Sequence, residues 1–512
     1  MDNRCDGSKA PLAGTTSGLD TGGMKSIHLI GVAGTGMGSF AGLLKAAGYD
    51  VRGSDEGVYP PMSDKLKDWG ITAMSPYAAE NLDPAPDLVV VGNVVRKDNV
   101  EAVAMRERHL RHASFPATLG DLFLSKRHSV VVAGTHGKTT TSSLLAWTLL
   151  SAKRDPGWLF GGVPAGTGHA MGESFRLGTP GPQSPFVVEG DEYDTAYFDK
   201  GPKFLHYAPR SLLCTSLEYD HADIYPNVGA IIARFAEVMS LVPSSTDGGH
   251  IVLWADEPNL KKARAEAPVT ARITSYAEAA HTDGDNANVV AENVVENEMG
   301  IAFDVVVDGT SRGRITSPMS GRHNLLNMLG AYAILSVHTG GLGLSHDEIA
   351  AGYASFPGVK RRLEVRGEAD GVIVVDDFAH HPTAVRTTIE GAKKRWPDRP
   401  LWALFEPRSA TSCRKIFQDD YARAFDAADK VLLAPPGRQL DPEIALDVPQ
   451  LAKDLVARGK DAAAYDSIDE LVLVARASAA RGHAGAVLLC MSNGAFGGIH
   501  VRLLDALNGQ GA

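Results

Sequence analysis

The chain reads as an α/β protein built from three successive domains. Apolar runs of strand length alternate with helical periodicity along nearly all of its 512 residues. Several of those runs end in glycine-rich or acidic turns, many of them opening a helix. The length itself is about three times that of a common domain. Strands alternating with helices imply mainly parallel sheets, in which ligand crevices lie beyond the carboxyl ends of the strands.

Composition narrows the class. The chain is 44% hydrophobic and 22% charged, with a formal charge of −11, values of an ordinary soluble protein that argue against a general nucleic-acid surface. An anionic ligand must then be held by local amides and cations. No apolar run approaches the roughly 18 residues of a membrane span. Residues 1–24 are polar and rich in Gly, Thr and Ser, without an apolar signal core, so a disordered tail is expected there. Cys5, Cys214, Cys413 and Cys490 are widely scattered, which suits reduced structural thiols in a cytoplasmic protein.

The first domain is expected over 25–126. Ile27-His28-Leu29-Ile30 leads into Gly31-Val32-Ala33-Gly34-Thr35-Gly36-Met37-Gly38 and a helical pattern to Ala47. This is a Rossmann-like opening, in which Gly34, Gly36, Met37 and Gly38 would bring a diphosphate to a helix N-terminus. Asp55, after the second strand, stands where a ribose-binding carboxylate would stand. Asn93 follows the strand Leu88–Val91. On these residues alone NAD and another diphosphate remain alternatives.

The second domain is expected over 127–357. Ser129–Ala133 reads as a buried strand, Gly134-Thr135-His136-Gly137 as a turn, and Lys138-Thr139-Thr140 as the first turn of a helix. Amides of such a turn and the helix dipole form a nest for phosphate oxygens. Lys138 would reach the β- and γ-phosphates of ATP, and the Thr139 hydroxyl would hold Mg²⁺. Val132 stands where the strict motif has glycine, so the loop is a shortened, phosphate-loop ATPase-like variant. Two later strands end in acids: Glu189-Gly190-Asp191-Glu192 after Phe186–Val188, and Glu218-Tyr219-Asp220-His221 after Ser211–Thr215. Carboxylates there suit a hard cation, with a solvated acidic turn as the plain alternative. Gly161 to Ser184 reads as a surface loop, and alternating runs such as Gly300–Val307 as an antiparallel extension of the sheet. Asn324 and Asn327, three apart on one helix face, can meet one ligand such as adenine.

The third domain, expected over 358–512, is again Rossmann-like. It opens at Lys360-Arg361-Arg362. Its strands Val372–Val375, Leu401–Phe405 and Ala486–Cys490 end in Asp376-Asp377-Phe378-Ala379-His380-His381, Glu406-Pro407-Arg408-Ser409 and Ser492-Asn493-Gly494.

Six motifs in order resemble those of the Mur ligases, the ATP-dependent amide-forming enzymes of peptidoglycan metabolism. They are Gly-Thr-His-Gly-Lys-Thr-Thr, Glu-Gly-Asp-Glu-Tyr-Asp, Asp-His-Ala-Asp, Gly-Arg-His-Asn-Leu-Leu-Asn, Lys-Arg-Arg-Leu-Glu and Asp-Asp-Phe-Ala-His-His-Pro. The likeness covers roughly residues 25–505. It implies that the first glycine turn binds the diphosphate of UDP-N-acetylmuramate, not NAD. By the same resemblance Thr139 and Glu189 hold Mg²⁺, with His221 at a second metal, and Asn324 and Asn327 contact adenine. Arg362 would meet the phosphates and Asp377 the ribose, with Lys138, Glu189, His221 and Arg362 as the catalytic set. Tyr193 and the stretches Glu406–Thr411 and Met491–His500 resemble the branch that attaches a ready-made murein tripeptide, L-alanyl-γ-D-glutamyl-meso-diaminopimelate. The sibling branch, which adds L-alanine, is the alternative. Arg408, Ser409 and Asn493 would face the tripeptide. Two places depart from the family pattern: Gly190 stands for Ala, and Cys214-Thr215-Ser216 replaces an asparagine-rich run.

Overall fold

The computed structural model describes residues 23–162, 171–278, 287–480 and 485–509. The tail expected at 1–24 lies almost wholly outside them, as do residues 163–170 of the expected surface loop. The chain divides into two compact units.

The smaller unit comprises the described residues up to His128, with Pro180–Gln183 and Tyr193–Ala208. Its strands are β1 (Ser26–Ile30), β2 (Asp50–Ser54), β3 (Thr72–Met74), β4 (Leu88–Val91) and β5 (His112–Ser114), in the order β3-β2-β1-β4-β5, and every pairing is parallel. β4 is fully buried because Leu88-Val89-Val90-Val91 has no polar residue to turn outward, as expected of a strand covered on both faces. The unit also holds a hairpin that the reading above grouped with the central domain. Its Asp199 accepts a hydrogen bond from Ser114 Oγ at 2.8 Å, and its Tyr197 hydroxyl accepts one from Arg106 at 2.7 Å. No local pattern announces these long-range partners.

The larger unit carries two sheets. The first runs through β6 (Arg127–Ala133), β7 (Gly157–Leu159), β8 (Phe175–Arg176), β9 (Gly181–Gly190), β12 (Ser211–Cys214), β13 (His250–Trp254), β14 (Arg272–Glu278), β15 (Val289–Asn297), β16 (Gly300–Val307) and β17 (Thr310–Ser317), with β10 (Asp194–Ala196) and β11 (Asp199–Pro202) forming the hairpin just described. Its order is β17-β16-β15-β14-β13-β12-β6-β9-β7-β8. β6, β12, β13, β14 and β15 pair in parallel, and β15–β17 are the antiparallel extension expected from their alternation. The Gly/Pro-rich passage is less of a loop than its composition suggests. β8 pairs antiparallel with β7, and β9 begins at Gly181. Helix Arg322–Leu335 is buried continuously from Leu325 onward and fills the core with Leu144, Leu145 and Tyr276.

The second sheet has β18 (Glu364–Ala369), β19 (Val372–Asp377), β20 (Leu401–Phe405), β21 (Lys430–Leu433), β22 (Asp461–Ala464) and β23 (Val487–Met491), in the order β18-β19-β23-β20-β21-β22. Only β18 is antiparallel. Among the described residues no helix is long and apolar enough to cross a membrane.

Candidate functional site

The site grows from the end of β6. Gly134 sits at φ 139° and Gly137 at φ 83°, backbone that only glycine adopts without strain. Each is also crowded: a Cβ on Gly134 would strike Thr215 Oγ1, and one on Gly137 would strike Asn327 Oδ1. The turn is held from β12. Thr135 N–H donates to Ser216 O at 3.1 Å, His136 N–H donates to Ser216 Oγ at 3.0 Å, and Thr215 Oγ1 donates to His136 O. The Cys214-Thr215-Ser216 departure therefore supplies the cradle of the loop.

Gly137 is the N-cap of helix Lys138–Ser151. Lys138 Nζ donates to Gly134 O at 2.6 Å and to both Glu192 oxygens at 2.9 and 3.1 Å. Burial works against both charges. Glu192 and Asp191 nonetheless raise the Lys138 pKa, and Lys138 with His221 lowers that of Glu192. His221 Nε2 lies 3.5 Å from the same Glu192. Burial opposes its protonation, but Glu192 and Asp220 outweigh that and raise its pKa. Lys138, Glu192 and His221 thus share one part-buried charge network.

Glu189 lies beside this network. Thr139 Oγ1 donates to its Oε2 at 3.0 Å and Gly161 N–H to its Oε1 at 2.9 Å. Burial, then the charge of Asp191, pushes its pKa up to about 7. A cation at the Glu189 and Thr139 oxygens would relieve that repulsion, and these are the hard donors that Mg²⁺ takes. Thr140 is buried in the same helix turn. Asn327 Nδ2 donates to Asn324 Oδ1 at 3.2 Å and Asn324 Nδ2 to Ser320 O at 2.7 Å, so the asparagine pair stands against the glycine turn.

The third domain reaches this region. Arg362 stacks over Phe378 at 5.3 Å and makes no hydrogen bond or ion pair among the described residues. Asp377 needs a correction, because its carboxylate is enclosed and already engaged. It accepts N–H bonds from Leu363 and Ala379, both at 2.8 Å, and burial raises its pKa. This makes it an anchor for the entry of the domain instead of a group offered to a ribose. The crevice between β20 and β23 holds Arg408, whose guanidinium is 3.4 Å from Glu406 and 43% exposed. Ser409 turns inward onto Ser412, which its Oγ meets at 2.9 Å. The Asn493 Oδ1 is buried with no hydrogen-bond partner among the described residues.

In the smaller unit the glycine turn opens helix Thr35–Ala46, with Gly34 as its N-cap. Gly34 is exposed and Gly36 half-buried, whereas Met37 and Gly38 are buried. A Cβ on Gly38 would strike Met62, so those two positions pack the helix. Asp55 does not reach outward: its Oδ2 accepts Ala33 N–H at 2.9 Å and its Oδ1 accepts Glu56 N–H at 2.8 Å, which fixes the turn. Asn93 is exposed.

Sequence reasoning passed over Glu192, Glu218 and Arg361. Glu192 and Glu218 stood inside the quoted motifs, and their partners lie 54 and 82 residues away. Arg361 takes the structural role beside Arg362, donating to Ser492 O and Gly494 O at 2.5 and 2.6 Å.

A glycine turn with lysine and threonine at a helix start, facing carboxylates on adjacent strand ends, defines an α/β nucleotide-binding enzyme. The chain belongs to the Mur ligase family, whose members are ATP-dependent, ADP-forming amide ligases. Residues 26–127 match the Mur ligase family catalytic domain, 132–335 the Mur ligase middle domain, and 361–494 the Mur ligase glutamate ligase domain. The UDP-N-acetylmuramate–L-alanyl-γ-D-glutamyl-meso-2,6-diaminoheptandioate ligase of Escherichia coli is 36% identical, covering 94% of this chain and 98% of its own. The UDP-N-acetylmuramate–L-alanine ligase of Desulfitobacterium hafniense is 31% identical, covering 80% and 84%. A crystal structure of a murein peptide ligase from Psychrobacter arcticus superposes with a TM-score of 0.70 at 36% identity, covering 96% of this chain and all of that one.

Proposed function

We propose that this chain joins the lactyl carboxylate of UDP-N-acetylmuramate to the free amine of L-alanyl-γ-D-glutamyl-meso-diaminopimelate, in the cytoplasm, returning recovered peptide to peptidoglycan synthesis. The observation that carries this is the 36% identity to tripeptide ligases across 94% of the chain, against 31–34% across 80–88% for L-alanine ligases. In the reaction the carboxylate oxygen attacks the γ-phosphorus of ATP and ADP leaves. The peptide amine then attacks the acyl carbon, the C–O bond breaks, phosphate departs and the nitrogen loses a proton. The first step brings two anionic oxygens together, so charge compensation supplies much of the acceleration.

Lys138 is the cation placed for the γ-phosphate, and Glu192 holds its ammonium in place until the nucleotide arrives. The Gly134–Gly137 turn offers amides to the phosphates, the Asn324–Asn327 pair lies beside it for the base, and Arg362 faces the same region from the third domain. Thr139 and Glu189 would hold Mg²⁺, with His221 steadied by Glu192 nearby, and the ion would screen the meeting oxygens. Gly34 and Gly36 present the helix N-terminus to the UDP diphosphate. Arg408 and Asn493 offer a forked cation and a free acceptor to the peptide.

The test is phosphate release measured with UDP-N-acetylmuramate and ATP, with either the tripeptide or L-alanine added. Release that depends on the sugar nucleotide and is far faster with the tripeptide is expected. Preference for L-alanine would move the chain to the sibling branch.

A further inference from the structure

Three donors that the ligase chemistry leaves unused converge beside the phosphate loop. His136 Nε2 lies 2.8 Å from Glu218 Oε2, and His381 Nδ1 lies 3.4 Å from the same oxygen. The imidazole rings of His136 and His381 are 4.9 Å apart between centroids. One ligand atom from each residue falls within 4.8 Å of the others. The three come from separate places: the glycine turn after β6, the loop after β12, and the N-cap of helix Pro382–Arg395 in the third domain.

We propose that His136, Glu218 and His381 form a divalent transition-metal site, taking an ion such as Zn²⁺, that fastens the third domain to the middle one. Two imidazoles and one carboxylate are the donor set of a zinc site with an open fourth position, and too rich in nitrogen for Mg²⁺. With bonds of about 2.0–2.1 Å, tetrahedral ligand atoms stand roughly 3.3 Å apart, so the widest separation, within 4.8 Å here, must close by side-chain rotation when the ion binds.

Thr383 N–H donates to His381 Nδ1 at 3.3 Å, a long bond that ligation through Nδ1 would replace. His381 is 7% exposed at its side chain. The Glu218 carboxylate also accepts from Thr383 Oγ1 at 3.1 Å, so it is held between the glycine turn and the third domain. Access exists: Glu218 and His381 border a cavity of ≈ 280 Å³ shared with Tyr219, Thr383, Arg386 and Phe417.

The experiment titrates Zn²⁺ into the full-length protein by calorimetry, in excess Mg²⁺ so that the Glu189 site is occupied. Co²⁺ then serves as a spectroscopic probe, since its visible bands report nitrogen ligation and low coordination number. His381→Asn is the informative variant, because asparagine still caps the helix N-terminus but supplies no imidazole. Glu218→Gln is the second, removing the charge with the shape kept. One ion per chain is expected, with affinity at least tenfold weaker in both variants and metal-free melting near wild type for His381→Asn. Failure of wild type to bind Zn²⁺, or wild-type affinity in either folded variant, would overturn the site. Neither result bears on the ligase reading, which the phosphate-release assay tests separately.

Discussion

The larger unit has two polar crevices at strand ends, and they differ in how their charges are kept. Around β6 the charges are locked together: Lys138 with Glu192, Glu192 with His221, and Thr139 with Glu189. Between β20 and β23 the polar groups are looser. Arg408 is 43% exposed on a 3.4 Å contact with Glu406, and the Asn493 oxygen has no partner among the described residues. The first arrangement suits a step that all members of the family share, where preorganised charge lowers a barrier. The second suits recognition, where the groups must be free to turn toward whichever amine the branch uses.

The strongest break of the locked crevice is Lys138→Met. Turnover is expected to fall by two or more orders of magnitude, on the order of 3 kcal/mol or more in the transition state. The melting temperature should fall too, because Glu192 is left buried without its cation. Adding Glu192→Gln should restore melting but not turnover, a separation that steady-state rates and thermal melts measure directly. Near-normal turnover in Lys138→Met would remove the loop from the chemistry.

Glu189 gives the next effect, through pH. Its folded pKa of about 7 lies above the ordinary 4.5. Between those values the metal-free folded protein therefore holds more protons than the unfolded chain, and stability must fall as pH rises. Mg²⁺ binding needs the deprotonated carboxylate, so its affinity should rise across the same window. Denaturant melts with and without Mg²⁺ check both signs. Glu189→Gln should flatten the metal-free slope and raise the Mg²⁺ concentration needed for activity.

Arg361 tests whether the looser crevice depends on its anchor. Its bonds to Ser492 O and Gly494 O hold the loop that carries Asn493. Arg361→Ala should cost about 1.5–3 kcal/mol of stability, the usual worth of hydrogen bonds to a charged group, and raise the peptide KM with the ATP KM little changed. Equal increases in both KM values would mean that the anchor serves domain closure as a whole.

The same contrast decides what the sequence made legible. The phosphate loop could be read because strand, turn and helix lie within about a dozen consecutive residues, where local chemistry dictates geometry. β15–β17 announced themselves by alternation. β22 did not, since Asp461-Ala462-Ala463-Ala464 has no β-branched or aromatic residue and is ordered by pairing with β21. β18 was hidden as well, because an edge strand such as Glu364–Ala369 keeps charges for solvent. Asp55 and Asp377 were placed at the right strand ends but given ligand roles, whereas both spend their oxygens on backbone amides. The His136–Glu218–His381 convergence joins segments 82 and more residues apart, which no spacing rule reaches.

The smallest expected effect is the most informative about specificity. A tripeptide with several carboxylates needs a cation at the far end of the crevice, and L-alanine does not. Arg408 can fork onto a carboxylate in bidentate fashion, and its weak contact with Glu406 leaves it free to turn. Gly494 lies against its side chain, where a Cβ would strike the Arg408 Cδ, so the β23 loop shapes the space in which it moves. Arg408→Ala removes one charge-assisted contact in a solvent-exposed crevice, worth about 1.5 kcal/mol. The peptide KM should therefore rise about tenfold, with kcat and the KM values for ATP and UDP-N-acetylmuramate nearly unchanged. Arg408→Lys should recover only part of the loss, because an ammonium cannot reproduce the planar fork. An unchanged peptide KM in Arg408→Ala would leave Arg408 as a surface partner of Glu406 and move tripeptide recognition elsewhere in the domain.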